Sequence, residues 1–135
     1  MAARYLLDTD ICIYLRSNDR PAVTRRFAVL ERDEAAVSVI SFGELLYGAA
    51  RSKSPIRAQQ GIEWLLRTVR ILPLPMASAA IYGHIRAELS VPGRVIGPND
   101  LWIAAHALAE NLVLVTNNGR EFRRVKGLKI ENWAR

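Results

Sequence analysis

Three acidic residues, Asp8, Glu44 and Asp100, are the side chains whose chemistry and placement first suggest a reaction. Asp8 follows a short apolar run, Glu44 lies in a predicted helix, and Asp100 comes at the start of another. Ionised carboxylates placed close together repel each other unless a cation joins them. Oxygen ligands suit a hard divalent ion, Mg²⁺ or Mn²⁺, which activates water and offsets charge on a phosphoryl oxygen. The acids therefore predict a metal-dependent phosphodiesterase site, if the fold brings them together.

Each acid also has a structural explanation. Ser41-x-x-Glu44 has the pattern of a capping box, and Asp8 or Asp10 could cap the first helix. Asp100 would be favoured by the dipole of its helix. We interpret Asp10 as structural only. For the other three the two explanations are compatible, because helix N-termini gathered at one sheet edge also gather their first-turn acids.

The elements that must position these acids alternate along the chain. The sequence predicts strands at residues 4–7, 37–40, 71–74, 112–116 and 128–130. It predicts helices at residues 9–16, 21–32, 41–50, 56–69, 76–89 and 98–111, with a helical turn within 120–125. Pro73 indicates that the third strand lies at an edge or where the sheet ends. This order predicts an α/β fold whose mainly parallel sheet gathers the strand-to-helix turns on one edge.

The composition fits one domain spanning residues 1–135. Half of the residues are hydrophobic, which argues against disorder. No apolar run approaches the roughly 18 residues of a membrane span, and no signal-like segment precedes Asp8. We therefore expect a cytoplasmic protein that binds no membrane. Cys12, the single cysteine, is predicted to be a buried, inert thiol, and His84 and His106 to be packing or solvent-edge residues.

The chain is strongly basic, with a net charge of +6 and 16 arginines among 19 basic residues. Such a balance favours polyanionic partners, and arginine binds phosphate in a bidentate way. Arg120, Arg123 and Arg124 follow the last predicted turn and are candidates for contacts to RNA phosphates. A merely solvated edge is the alternative for these three residues.

Four motifs occur in order along almost the whole chain. They are Leu6-Leu7-Asp8-Thr9-Asp10, Ser41-x-x-Glu44-Leu45-x-Tyr47-Gly48-Ala49, Gly97-Pro98-x-Asp100-x-x-Ile103-Ala104-Ala105-His106-Ala107 and Leu114-Val115-Thr116-Asn117-Asn118-x-Arg120-Glu121-Phe122. Together they resemble the PIN domain and, within it, the VapC ribonuclease toxins of type II toxin–antitoxin pairs. The resemblance implies a PIN-like α/β/α sandwich with a short, mainly parallel central sheet.

The resemblance also implies a metal-dependent endoribonuclease that acts on structured RNA, often tRNA. Asp8, Glu44 and Asp100 match the catalytic acids of the family and its Mg²⁺ ligands, with Mn²⁺ as a substitute. Thr116 and Asn117 match the edge of that site. The implied partners are a VapB-like antitoxin, the RNA substrate and a second copy in a homodimer.

One position departs from the pattern of many PIN domains. These carry a fourth acid after the strand, where this chain has Asn117 and Asn118. An amide oxygen adds no negative charge, so we expect one tightly held ion, with any second ion arriving with the substrate. A non-catalytic RNA- or partner-binding module of the same fold, and a DNA-directed PIN nuclease, are the alternative functions.

Overall fold

A computed structural model describes residues 2–135. Its strands are β1 (Tyr5–Leu7), β2 (Ala35–Ser38), β3 (Arg70–Leu72), β4 (Val113–Val115) and β5 (Ile130–Glu131). Its helices are α1 (Thr9–Ser17), α2 (Pro21–Ala28), α3 (Val39–Ala50), α4 (Pro55–Thr68), α5 (Ser78–Leu89), α6 (Pro98–Ala109) and α7 (Gly119–Phe122). Every predicted strand and helix is present, and the differences lie at the boundaries.

The five strands form one sheet in the order β3-β2-β1-β4-β5, and every neighbouring pair is parallel. The central strand β1 is buried along its whole length. β3 lies at an edge, as Pro73 predicted. In a parallel sheet all strands end at the same edge, so the segments that follow β1, β2 and β4 meet there.

Side chains of β1 alternate between two hydrophobic cores, as those of a strand must. Leu6 belongs to the core under α5 and α6, which also contains Ile103 and Leu114. Tyr5 and Leu7 belong to the core under α1, α2 and α4. Helices therefore cover both faces of the sheet, which gives the three-layered α/β/α arrangement.

Two predicted elements have boundaries that the structure corrects for a visible reason. The second strand covers 35–38 instead of 37–40, because the hydroxyl of Ser38 accepts a hydrogen bond from the backbone N–H of Ile40 and begins α3 there. α2 ends at Ala28 instead of residue 32, and a turn follows in which Asp33 has a φ of 70°. Among residues 2–135, no helix is long and apolar enough to cross a membrane.

Candidate active site

Asp8 lies at the carboxyl end of β1 and is the N-cap of α1. Its side chain is only 6% exposed. One carboxylate oxygen accepts a hydrogen bond from the backbone N–H of Thr9 at 2.9 Å, and the other accepts from the Thr116 hydroxyl at 2.7 Å. The backbone N–H of Asp8 itself donates to the carbonyl of Val115 at 2.9 Å. Asp8 is thus fixed between β1 and β4 at the edge where the strands end.

Glu44 reaches the same edge from α3. Its Oε1 accepts a hydrogen bond from the Thr9 hydroxyl at 2.8 Å, next to Asp8 in the chain. Its Oε2 accepts from the side-chain amide of Asn99 at 3.5 Å, next to Asp100. Glu44 therefore lies between the segments that carry the other two predicted acids.

Asp100 is half-buried in the first turn of α6. Burial raises its pKa to about 6, and the negative charges of Glu44, Glu121 and Asp10 contribute to this rise. These Coulomb interactions show that Asp100 shares an electrostatic environment with acids from three other elements. The structure thus brings Asp8, Glu44 and Asp100 to one edge of the sheet, as the sequence predicted.

The pKa of Asp8 is raised to about 7, chiefly by burial and then by the charge of Asp10. The hydrogen bonds from Thr116 and Thr9 oppose this shift, while Asp100 adds to it. Burial also raises the pKa of Asp10. Burial, and for Asp8 also neighbouring negative charge, therefore disfavours the ionised carboxylates, and a nearby cation would favour them.

The capping interpretation of Ser41 and Glu44 was wrong. Ser38 is the N-cap of α3, so Glu44 is the sixth residue of the helix and its carboxylate bonds to Thr9 and Asn99. Asp8, and not Asp10, caps α1. The Ser41 hydroxyl is buried and has no hydrogen-bond partner within residues 2–135.

Two further acids lie beside the site, and the interpretation of the sequence gave neither a place in it. Asp10 accepts a hydrogen bond from the backbone N–H of Asn117 at 3.1 Å, and its other oxygen is buried without a partner in the described chain. Glu121, in α7, acts on the pKa of Asp100 and accepts a hydrogen bond from the Asn118 amide at 3.5 Å. Only the spacing Asn118-x-x-Glu121 could have indicated that an acid follows the amide pair on the next helical turn.

Thr116 and Asn117 lie at the edge of the site, where they were expected. Thr116 is fully buried, donates to Asp8 and accepts from the backbone N–H of Asn118 at 2.9 Å. The Asn117 amide donates to the Tyr14 hydroxyl at 3.1 Å, and its oxygen accepts from the Asn132 amide at 3.0 Å. Both hydrogen-bonding ends of the Asn117 side chain are therefore occupied by protein groups.

The donor set fits a hard divalent cation in its chemistry. It consists of carboxylate oxygens, and the charges of neighbouring acids raise the pKa of Asp8 and of Asp100. It includes a buried oxygen of Asp10 that has no hydrogen-bond partner in the described chain. No group of three His, Cys, Asp or Glu side chains within residues 2–135 is already close enough to hold a metal ion. The hydroxyls of Thr9 and Thr116 instead bind oxygens of Glu44 and Asp8. The acids are gathered at this edge but do not form a closed set of metal ligands among the residues that the structure describes.

The three candidate RNA-binding arginines differ in their surroundings. Arg120 and Arg123 are exposed on and just after α7, close in sequence to Glu121. Arg124 is half-buried and donates a hydrogen bond to the carbonyl of Val95 at 3.1 Å. Arg124 therefore has a structural contact, whereas the first two present their charge to solvent.

The remaining polar candidates have packing roles or lie at the solvent edge. His106 is fully buried, and its Nδ1 lies 2.8 Å from the hydroxyl of Ser38. His84 is exposed beside Glu88. Cys12 is buried, and burial raises the pKa of its thiol far above the usual range. These placements agree with the sequence-based predictions.

Comparisons with known proteins agree with this geometry. A family model described as the PIN domain matches residues 5–128. The tRNA(fMet)-specific endonuclease VapC of Shigella flexneri is 41% identical over 131 residues, which cover 97% of this chain and 98% of the relative. Ribonuclease VapC2 of Haemophilus influenzae is 45% identical over 131 residues, with the same coverage of 97% and 98%.

Comparison with solved structures agrees with the sequence comparisons. The crystal structure of DNA-bound VapBC from Salmonella typhimurium matches with a TM-score of 0.89 and 37% sequence identity, over 97% of this chain and 98% of that chain. The parallel five-stranded sheet between two helical layers is therefore the PIN-like sandwich that the motifs implied. Because sequence and fold both match over nearly their full length, this chain belongs to the VapC ribonucleases of the PIN-domain family.

Proposed function

We propose that this protein is a Mg²⁺-dependent endoribonuclease, the toxin of a type II toxin–antitoxin pair, and that it hydrolyses phosphodiester bonds in structured RNA such as tRNA. The observation that carries the proposal is the convergence of Asp8, Glu44 and Asp100 at the carboxyl edge of a parallel sheet. Relatives named as a tRNA(fMet)-specific endonuclease and as ribonucleases support the substrate class.

We assign Asp8 and Asp100 as the residues that hold Mg²⁺ directly, with Mn²⁺ as a substitute. When bound, such an ion lowers the pKa of water and offsets the charge that develops on a phosphoryl oxygen. Thr116 and the N–H of Thr9 fix both oxygens of Asp8. The Thr9 hydroxyl fixes one oxygen of Glu44, so its carboxylate is oriented to position the attacking water and to accept its proton.

One tightly held ion fits this site better than two. The positions where many PIN domains place a fourth acid are Asn117 and Asn118, and the Asn117 side chain is already bonded to Tyr14 and Asn132. Besides Glu44, the acids that place negative charge near Asp100 are Asp10 and Glu121. We therefore expect any second ion to bind together with the RNA phosphate.

The partners follow from the family. The matched Salmonella structure is a VapBC complex, which supports a VapB-like antitoxin as the protein partner of this chain. We also propose a homodimer, acting in the cytoplasm as a single PIN domain spanning residues 1–135. The antitoxin would inhibit the enzyme by covering the acidic edge.

The test is cleavage of a bacterial tRNA fraction by the wild-type protein and by Asp8→Asn and Asp100→Asn, in Mg²⁺ and in chelator. We expect Mg²⁺-dependent cleavage by the wild type and a loss of about a hundredfold or more in both variants. Glu63→Gln, an exposed acid of α4, is the matched control and should cleave normally.

Other outcomes would identify a different function. Binding of tRNA without cleavage would favour a non-catalytic module. Equal cleavage of single-stranded DNA of the same sequence would favour a DNA-directed nuclease. Full activity of Asp8→Asn or Asp100→Asn would remove that residue from the mechanism.

A further inference from the structure

An open groove runs along α3 directly beside the acidic site. Its volume is about 670 Å³, within the range of small-ligand sites. Thr9, Glu44 and Asn99 form the end shared with the site, and residues of α3 form the rest, namely Val39, Ile40, Gly43 and Tyr47. A substrate held at the acids would therefore continue into this groove.

Tyr47 presents a large aromatic surface in the groove. Its side chain is 62% exposed. Arg51, the C-cap of α3, donates a hydrogen bond to the Tyr47 hydroxyl at 2.8 Å, and its guanidinium carbon lies 5.7 Å from the ring centroid. The ring is thus held in place before any ligand arrives, which lowers the entropy lost when another flat group stacks on it.

The groove has open space above Gly43. A Cβ atom placed on Gly43 would have no neighbour within 4 Å, so the space above this residue is free. Val39, which is 40% exposed, adds an apolar side chain to the lining. A planar, largely apolar group would find both room and contact surface here.

Three side chains of different chemistry follow one another along α3 and its C-cap. Glu44, Tyr47 and Arg51 are separated by three and four residues, so they share one face of the helix. From the helical rise, Tyr47 lies about 4.5 Å and Arg51 about 10.5 Å beyond Glu44 along the axis. The face therefore presents an acid, then an aromatic ring, then an exposed cation whose guanidinium has further N–H groups for a phosphate besides the one bonded to Tyr47.

We propose that Tyr47 and Arg51 bind the nucleotide next to the scissile phosphate, with its base stacked on Tyr47 and its far phosphate beside Arg51. This inference rests on the proposed ribonuclease function and adds a substrate-positioning site to it. Stacking on an aromatic ring accepts every base, so Tyr47 would contribute affinity and alignment more than sequence choice.

The experiment measures binding of a short fluorescent oligouridylate to the Asp100→Asn protein, which cannot cleave it, by anisotropy. An oligomer of the same length with every base removed keeps the phosphates and serves as the second probe. We expect Tyr47→Ala to weaken binding of the base-bearing RNA about tenfold and Tyr47→Phe to change it less than about twofold. Neither variant should change binding of the abasic oligomer, whereas Arg51→Ala should weaken both probes.

Cleavage and structure provide the controls. In the otherwise wild-type protein, Tyr47→Ala should raise KM for tRNA with a smaller effect on kcat, while circular dichroism and Tm stay unchanged. Val29→Ala removes an apolar side chain that is more exposed than Tyr47, in the turn before β2 at the opposite edge of the sheet, and should have no effect. Tyr47→Leu, which keeps bulk without a ring, should behave like Tyr47→Ala.

Three results would overturn the proposal. The first is base-bearing RNA bound as well by Tyr47→Ala as by the parent protein. The second is that Tyr47→Ala weakens binding of the abasic oligomer as much as binding of the base-bearing RNA. The third is unchanged RNA binding with a lost antitoxin complex or a changed molecular mass, which would make the groove a protein-docking surface. If the wild-type protein cleaves no RNA, the proposed function itself fails. If the wild type and Tyr47→Ala cleave tRNA equally well, the ribonuclease function stands and only the role of Tyr47 is excluded.

Discussion

Burial and charge repulsion both oppose the ionisation of Asp8. Its pKa rises from the ordinary 3.8 to about 7 in the folded chain. The folded state therefore binds the proton more tightly than the unfolded chain does. The contribution of Asp8 to stability is complete below about pH 4 and is lost as the pH rises through about 7.

We therefore predict that Asp8→Asn, which is neutral at every pH, stabilises the metal-free protein. At about pH 8 the free energy of unfolding should rise by about 1–3 kcal/mol, and the gain should vanish towards about pH 4. Urea unfolding in chelator measures both values. Asp19→Asn, an exposed acid in the turn after α1, is the control. If the Asp8→Asn variant is no more stable than the wild type at high pH, the hydrogen bonds from Thr9 and Thr116 already offset the free-energy cost of burying the ionised Asp8 carboxylate.

Thr116 controls the same carboxylate through one hydrogen bond, which lowers the pKa of Asp8. Thr116→Val removes this bond and raises that pKa further. We predict that affinity for Mg²⁺, measured by calorimetry, falls about tenfold near pH 7. The loss should be smaller near pH 9, where Asp8 is ionised in both proteins. Thr116→Ser keeps the hydroxyl and should bind normally, and an equal loss at both pH values would indicate a packing defect instead.

At the scale of elements, the start of α3 determines where Glu44 lies. The Ser38 hydroxyl bonds to the backbone N–H of Ile40 at 3.2 Å and lies 2.8 Å from Nδ1 of His106, so it joins β2, α3 and α6. Ser41, one turn later, is equally buried but has no partner in the described chain. The two serines therefore form a matched pair with opposite expected effects.

We predict that Ser38→Ala lowers the free energy of unfolding by about 2 kcal/mol, because it removes the cap and leaves His106 without its partner. Ser41→Ala should change it by less than about 0.5 kcal/mol, or stabilise the protein, because it removes an unsatisfied polar group. Urea unfolding compares the two variants. If both variants lose the same free energy of unfolding, Ser41 caps the helix after all, as the Ser41-x-x-Glu44 pattern suggested.

This pair also shows what the sequence could and could not predict. The alternation of strands and helices predicted that Asp8, Glu44 and Asp100 share one edge, because a parallel sheet leaves no other arrangement for its turns. The pattern Val37-Ser38-Val39-Ile40 suits a strand, but Ser38 caps α3 through the N–H of Ile40, and its hydroxyl is also held by His106, 68 residues away. Local spacing carries no information about such contacts, and Asp10 was missed as a neighbour of the site for the same reason.

At the scale of the whole molecule, a protein with a net charge of +6 must bring a polyanion to an acidic edge. Basic side chains around that edge have to outweigh its local repulsion. Arg120 and Arg123 are exposed beside the turn that follows β4, at the carboxyl edge of the sheet. Arg32 and Arg67 are equally exposed, but they precede β2 and β3 and so lie at the opposite edge.

We predict that the double variant Arg120→Ala/Arg123→Ala weakens binding of single-stranded RNA and reduces its dependence on salt, whereas Arg32→Ala/Arg67→Ala changes neither. Each phosphate contact releases condensed counterions, so losing two contacts should lower the slope of log K against log salt by about 1.4. Fluorescence anisotropy over a range of salt concentrations measures the slope. If both double variants lower it equally, the net charge of the molecule attracts RNA without a preferred face. If Arg120→Ala/Arg123→Ala leaves the slope unchanged, the phosphate contacts lie elsewhere, with Arg51 at the C-cap of α3 as the next candidate.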